Sequence, residues 1–305
     1  MRIRARYIGL LVGVAGFVFV ARNLISDWDS VIASAGAADS RYLAVAFVVA
    51  ALGMLTIAIG WRQSLLALGG RVSIREALRQ YFVGELGKYI PGGVWTVVGR
   101  GELARSSGLS RVSSYGATLV SIAIAYLAAI VTAGATALIA DVGDQDSWLA
   151  LTPLLAPIAI FALHPRAIRL GLDLVSKLGR RPSGLELPSW VTGIRLMLLH
   201  VPAWIAIGIA TWLVALSLDA TTPDLANILF AAVISWVAGL LAIPVPGGIG
   251  VREAVFAAVA TTLSSAGVAA AVAITSRLLF ILVDTCSALV VALLARKGAS
   301  TSTQP

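Results

Sequence analysis

Two short stretches gather most of the charge that lies inside apolar surroundings. GELGKYIPGGVW, from Gly84 to Trp95, sets Glu85 and Lys88 three residues apart, so that they share one face of a helix. It then breaks that helix with Pro91, Gly92 and Gly93. PVPGGIGVREA, from Pro244 to Ala254, places Pro246, Gly247 and Gly248 ahead of Arg252 and Glu253. Arg100 and Glu102 follow the first PGG, and Arg277 and Asp284 stand seven residues apart further on, on one helical face about two turns from each other. A guanidinium holds a phosphate through two parallel hydrogen bonds, and an ammonium attracts it as a point charge. Lys88, Arg100, Arg252 and Arg277 are therefore candidates for a polar route that a phosphate-bearing group follows. Glu85–Lys88 and Arg277–Asp284 also read as structural ion pairs that lock a bundle.

The elements that must position these residues belong to a membrane. Of the 305 residues 59% are hydrophobic and 12% charged, with mean hydropathy +0.92, whereas a soluble domain carries about 25% charged residues. Uncharged runs at 42–61, 115–140, 196–218 and 225–251 are long enough to cross a bilayer as helices. The composition predicts an all-α polytopic protein with six to eight transmembrane helices. Charges within such segments are costly unless paired or hydrated, and by default they mark function. The single cysteine, Cys286, and the two histidines, His164 and His200, form no cluster with metal-ligand spacing. No metal or cofactor is expected, and no nucleic-acid partner. GxxxxGK[ST], GxSxG and HExxH are all absent from the sequence, so no ATP hydrolysis and no enzymatic activity are expected.

Basic residues mark cytoplasmic loops. Arg2, Arg4 and Arg6 place the N-terminus inside, ahead of an uncleaved first helix. Asp27, Asp29 and Asp39 lie outside, and Arg62, Arg71, Arg75 and Arg79 lie inside again. Arg100, Arg105 and Arg111 also read as inside, so residues 77–98 start and finish on one face. A re-entrant hairpin turning at PGG satisfies this, because irregular backbone at membrane depth is tolerated inside protein. The segments 148–163, 196–218 and 268–295 then alternate, with a basic loop between the first two and both termini cytoplasmic. The scheme places all but four of the 23 lysines and arginines inside. Trp28, Trp61, Trp148, Trp190 and Tyr42 read as interfacial anchors, and His200 as a packed or interfacial histidine.

The second PGG falls in a segment, 225–266, with both flanks outside. IPGGVWTVVGRGELA and VPGGIGVREAVFA run alike: PGG, apolar residues, arginine, then glutamate. This predicts an inverted-topology repeat with halves 42–140 and 196–295 in one transmembrane domain (1–295), and a disordered tail at 296–305. Repeats of this kind place a substrate site near the midplane, lined by broken helices. Ile243 stands where the first hairpin has Lys88, so the halves differ chemically.

On GKYIPGGVW…GR (87–100) and PVPGGIGVREA (244–254) the sequence resembles the transmembrane family of lysylphosphatidylglycerol synthase/flippases, from about Leu43 to Leu294. Bifunctional members of that family carry a further soluble domain that transfers an amino acid from tRNA to phosphatidylglycerol. The sequence ends ten residues after Ala295, so the resemblance implies the lipid-translocating half and not the synthase. The expected function is a lipid flippase of the inner membrane, acting on an anionic phospholipid or a polyprenyl-phosphate lipid. The alternative is a non-catalytic subunit that anchors or gates a cell-envelope glycosyltransferase, its partner enzyme. Oligomeric state is not legible in the sequence.

Overall fold

The computed structural model describes residues 38–90, 94–140, 148–176, 188–218, 222–242 and 245–301, with single helical positions at 25, 29, 32 and 36. Among these residues there are ten α-helices, short 3₁₀ segments and no strand. Helix α1 (Ser40–Ala67) begins where the Asp39 side chain accepts the Arg41 N–H at 2.8 Å. It leads to α2 (Ile74–Glu85), a 3₁₀ turn (Leu86–Tyr89) and α3 (Trp95–Ala104). Next come α4 (Arg111–Ala137), a 3₁₀ segment (Trp148–Leu154), α5 (Leu155–Ala162) and α6 (Pro165–Ser176). The last group is α7 (Trp190–Leu218), α8 (Leu225–Leu241), a 3₁₀ turn (Pro246–Gly248), α9 (Val251–Val259) and α10 (Ala266–Thr301).

Four of the described helices are long and apolar enough to span a bilayer: α1, α4, α7 and α10 as far as Leu294. That is fewer than the six to eight expected. The expected first helix lies outside the described residues, and 148–163 is a 3₁₀ segment containing Pro153 followed by a short α-helix, since proline removes a donor and clashes with the preceding turn. The expected basic loop after it contains α6, on which Arg166 and Arg169 are exposed. Helix α10 runs to Thr301, through the expected tail, because Ala295, Arg296 and Lys297 all favour helix and its basic residues suit a helix C-terminus.

The long helices approach closely through small residues, which is how packing holds helices together in lipid. A side chain at Gly53 would meet Ala206 Cβ at 3.1 Å, and one at Gly60 would meet the His200 imidazole at 2.3 Å. His200 is fully buried and its Nδ1 lies 2.7 Å from the Leu196 carbonyl, so the packed reading of this histidine is the one observed. Trp204 donates to the Ala125 carbonyl at 2.6 Å, tying α7 to α4. Trp61 is completely buried. It is not an interfacial anchor, because the Arg100 guanidinium lies over its ring. Trp190 and Tyr42 are partly exposed.

Two segments double back on themselves. The backbone entering α2 meets the backbone leaving α3, where Arg71 N–H donates to the Ser107 carbonyl at 2.9 Å. Likewise Asn227, in the first turn of α8, donates to the Val259 carbonyl at the end of α9, at 3.2 Å. The bases of the two hairpins lie at opposite ends of α1. The first follows directly from the end of α1. The second follows the end of α7, which is bound to the start of α1 by Asp39 N–H donating to the Ser217 carbonyl at 3.3 Å. Entering from opposite ends, the hairpins meet at their tips: a Cβ on Gly247 would lie 3.5 Å from the Lys88 carbonyl.

Candidate functional site

The tips meet against α10, and seven charged side chains converge there or just behind the first tip. Lys88, in the 3₁₀ turn after α2, reaches Asp284 at 2.7 Å and Glu85 at 3.1 Å. Glu85 also binds Arg100 of α3. Asp284 is fully buried and accepts a hydrogen bond from the Tyr89 hydroxyl at 2.6 Å. These contacts make one alternating chain, Arg100–Glu85–Lys88–Asp284, across four elements. On the other side Arg277 binds Glu253, and its second nitrogen donates to the Gly247 carbonyl at 3.3 Å. Glu253 in turn accepts the Gly250 N–H at 2.7 Å and so starts α9. Gly247, Gly248 and Gly250 have φ of 55°, 67° and 80°, a region that favours glycine. The turn after Pro246 therefore needs its glycines.

Arg277 and Asp284 do not pair with each other, contrary to the structural reading of their spacing. Seven residues put them about 10 Å apart along the helix, and each has a nearer partner on a hairpin.

The hairpins share a second arrangement. Arg100 passes Gly84 and lies over the Tyr81 ring, 4.5 Å from its centroid. Arg252 passes Gly239 and lies over the Trp236 ring, 3.7 Å from its centroid. A Cβ on Gly84 would meet Arg100 Cγ at 2.5 Å, and one on Gly239 would meet Arg252 Cγ at 2.4 Å. The aromatic and the glycine precede the proline by the same intervals in both halves: Tyr81, Gly84, Pro91 and Trp236, Gly239, Pro246. The residue after the glycine differs, being Glu85 in one and Leu240 in the other. Arg100 thus has a carboxylate, and Arg252 has no hydrogen bond or ion pair among the described residues.

Two adjoining small cavities open at the junction. Trp236, Arg252, Arg277 and Phe280 line both, with Glu253 and Ser276 completing one and Lys88, Tyr89 and Gly247 the other. In each, the volume open to the centre of a water molecule is ≈ 20 Å³, room for roughly one or two waters.

The family model described as the lysylphosphatidylglycerol synthase TM region matches residues 6–288. The chain belongs to this family. No curated protein matches it. Membership in the lysylphosphatidylglycerol synthase TM family agrees with a multi-pass helical membrane protein and gives its function a membrane-lipid context.

Of the residues singled out in the sequence, the structure joins Glu85, Lys88, Arg100, Gly247, Gly248, Arg252, Glu253, Arg277 and Asp284. Pro246 starts the second turn, and Pro91, Gly92 and Gly93 lie outside the described residues. Glu102 stands apart. It is half-buried, binding Arg111 at 2.9 Å, Arg105 at 3.0 Å and the Tyr115 hydroxyl at 2.8 Å. The Tyr115 hydrogen bond, with those of the arginines, holds its carboxyl down at about 2. It resembles Glu253 in sequence order only. The sequence reading missed Tyr81, Trp236, Gly84 and Gly239, although an aromatic three residues before a glycine, at one fixed distance from PGG, was visible in both halves.

Proposed function

We propose that the protein moves a lipid with an anionic phosphate headgroup between the leaflets of the cytoplasmic membrane. In this reading the two hairpins are re-entrant and belong to an inverted-topology repeat, with both termini cytoplasmic. The observation that carries it is the charge count at the tips: four cations (Lys88, Arg100, Arg252, Arg277) against three carboxylates (Glu85, Glu253, Asp284). An uncompensated cation away from water is expensive, and one phosphodiester balances it. Arg252 supplies donors in a fork that matches phosphate. Trp236 holds its plane through a cation–π contact.

The cavities are too small for a headgroup, so translocation requires the tips to part. The contacts that must yield are Lys88–Asp284 and Arg277 to the Gly247 carbonyl. The residues along each hairpin then face the headgroup in turn while the acyl chains remain in lipid.

The test is reconstitution of the purified protein in liposomes containing labelled phosphatidylglycerol, phosphatidylethanolamine or a polyprenyl phosphate. Movement of an anionic lipid is expected, and Arg252→Gln should slow it roughly tenfold to a hundredfold, the value of a hydrogen bond to a charged group. Equal movement by the variant removes Arg252 from the site. Inactivity towards every lipid, with stable copurification of a glycosyltransferase, replaces this reading with the anchoring subunit.

A further inference from the structure

We propose that the cavity bounded by Lys88, Arg252 and Arg277 binds a small inorganic anion, typified by chloride, whenever no lipid phosphate occupies it. The inference concerns the same site as the lipid reading, but it rests on charge, partners and size rather than on transport. Two of the three cations have their carboxylates: Lys88 meets Asp284 at 2.7 Å, and Arg277 binds Glu253. Arg252 has none. Its guanidinium stacks on Trp236, a contact that leaves the N–H groups at its edge without acceptors among the described residues.

The origin of this excess is local. In the first hairpin the position after the helix glycine is Glu85, which neutralises Arg100; in the second it is Leu240. The second half keeps the arginine, the aromatic and the glycine and lacks the carboxylate. Lys88 and Arg277 add positive potential from two sides of the same cavity. The space there admits something close to a water molecule in size. A halide meets that limit and a lipid phosphodiester does not, so the closed tips select the small ion. When the tips part, the larger anion can displace it. The two ligands are then competitors, and chloride favours the closed arrangement.

The experiment is thermal unfolding of the purified protein in detergent, with sodium chloride replaced by sodium gluconate at constant ionic strength. The melting temperature should rise by roughly 2 °C per tenfold increase in chloride above saturation, and bromide and nitrate should substitute. Leu240→Glu gives Arg252 the carboxylate that Arg100 already has, so it should abolish the response, as should Arg252→Gln. Arg111→Gln, at the exposed cluster, should retain it. Bromide located by anomalous scattering at Arg252 of the wild-type protein tests the site without any variant. Equal melting in chloride and gluconate overturns the proposal, as does a full response in both Leu240→Glu and Arg252→Gln. Stabilisation by glycerophosphoglycerol but not by chloride also overturns it, in favour of a headgroup site alone. A chloride response in a protein that moves no lipid upholds this inference and removes the lipid reading.

Discussion

Removing the charge of Asp284 tests the central geometry most directly. Its carboxylate is fully buried and takes Lys88 at 2.7 Å and the Tyr89 hydroxyl at 2.6 Å. At an effective dielectric of about 20 the attraction to Lys88 is ~6 kcal/mol before desolvation, and breaking a buried pair from one side costs about 3–5 kcal/mol. Lys88 retains Glu85 at 3.1 Å, which puts Asp284→Asn near the lower bound, about 3 kcal/mol. In a chain of this size that lowers the melting temperature by roughly 5 °C. Lys88→Met should cost at least as much, because it leaves the fully buried Asp284 carboxylate with only the Tyr89 hydroxyl and no cation. The double variant Lys88→Met/Asp284→Asn should recover on the order of 2 kcal/mol relative to the sum of the two. The control is Arg277→Gln with Asp284→Asn, which should be additive within about 0.5 kcal/mol at that separation. Differential scanning of the four proteins in each cycle reads both couplings. A stronger coupling for Arg277–Asp284 than for Lys88–Asp284 would refute the arrangement.

The remaining predictions concern the arginine tracks and the exposed cluster. Gly239→Val places a side chain within 2.4 Å of Arg252 Cγ, so lipid movement should stop while Gly193→Ala, on α7 where the nearest atom would be Leu163 Cβ at 3.7 Å, leaves it intact; normal movement by Gly239→Val removes the track from the mechanism. Glu102→Gln should leave lipid movement unchanged. The folded carboxyl of Glu102 sits at about 2, below its ordinary value near 4, so the group favours the folded state above about pH 4 and loses that contribution as pH falls towards 2. The melting difference between wild type and Glu102→Gln should be constant from neutral pH to about 5 and vanish below that window; a difference growing towards acid contradicts the sign. Cysteines at Arg75 and Ser110, both exposed, in a Cys286→Ala background should be labelled from one side of the membrane only, and labelling from opposite sides would refute the re-entrant first hairpin.

The long helices were legible because the length of an uncharged apolar run is enough to specify them. Runs at 42–61, 115–140, 196–218 and 268–295 correspond to α1, α4, α7 and α10, with ends extended by up to six residues where Arg41, Arg62, Arg195 and Lys297 are accommodated in helix, and with α4 ending at Ala137 rather than 140. The arginines on both flanks of 77–98 lead to the expectation that this segment doubles back, and its backbone does return, with Arg71 N–H donating to the Ser107 carbonyl. Partner choice was not legible. A spacing of seven on one helix says that Arg277 and Asp284 point the same way, and nothing about the hairpin residues that reach them first. Trp61 was misread because its neighbour Arg62 suggests an interface, while the ring is covered by Arg100, which comes from α3 in the first hairpin. Glu102 and Glu253 follow their PGG turns in the same order, but a different helix phase sends one to the surface and the other to Arg277.

The difference between the hairpins matters more than their likeness. Both bring an arginine past a glycine and over an aromatic ring, which fixes a guanidinium beside a helix break at modest cost, since the ring and the close backbone replace part of its hydration. In the first hairpin Glu85 closes the account, and the chain Arg100–Glu85–Lys88–Asp284 ties the hairpin to α10 as a set of neutral pairs. In the second, Leu240 stands at that position and Arg252 has no carboxylate partner among the described residues. A purely structural pair of turns has no need of that asymmetry, because a carboxylate at 240 would stabilise the closed tips as Glu85 does. Leu240→Glu therefore separates the two demands: it should raise the melting temperature and, by supplying the missing charge internally, stop lipid movement. A variant that is both more stable and fully active would show that Arg252 has only a packing role.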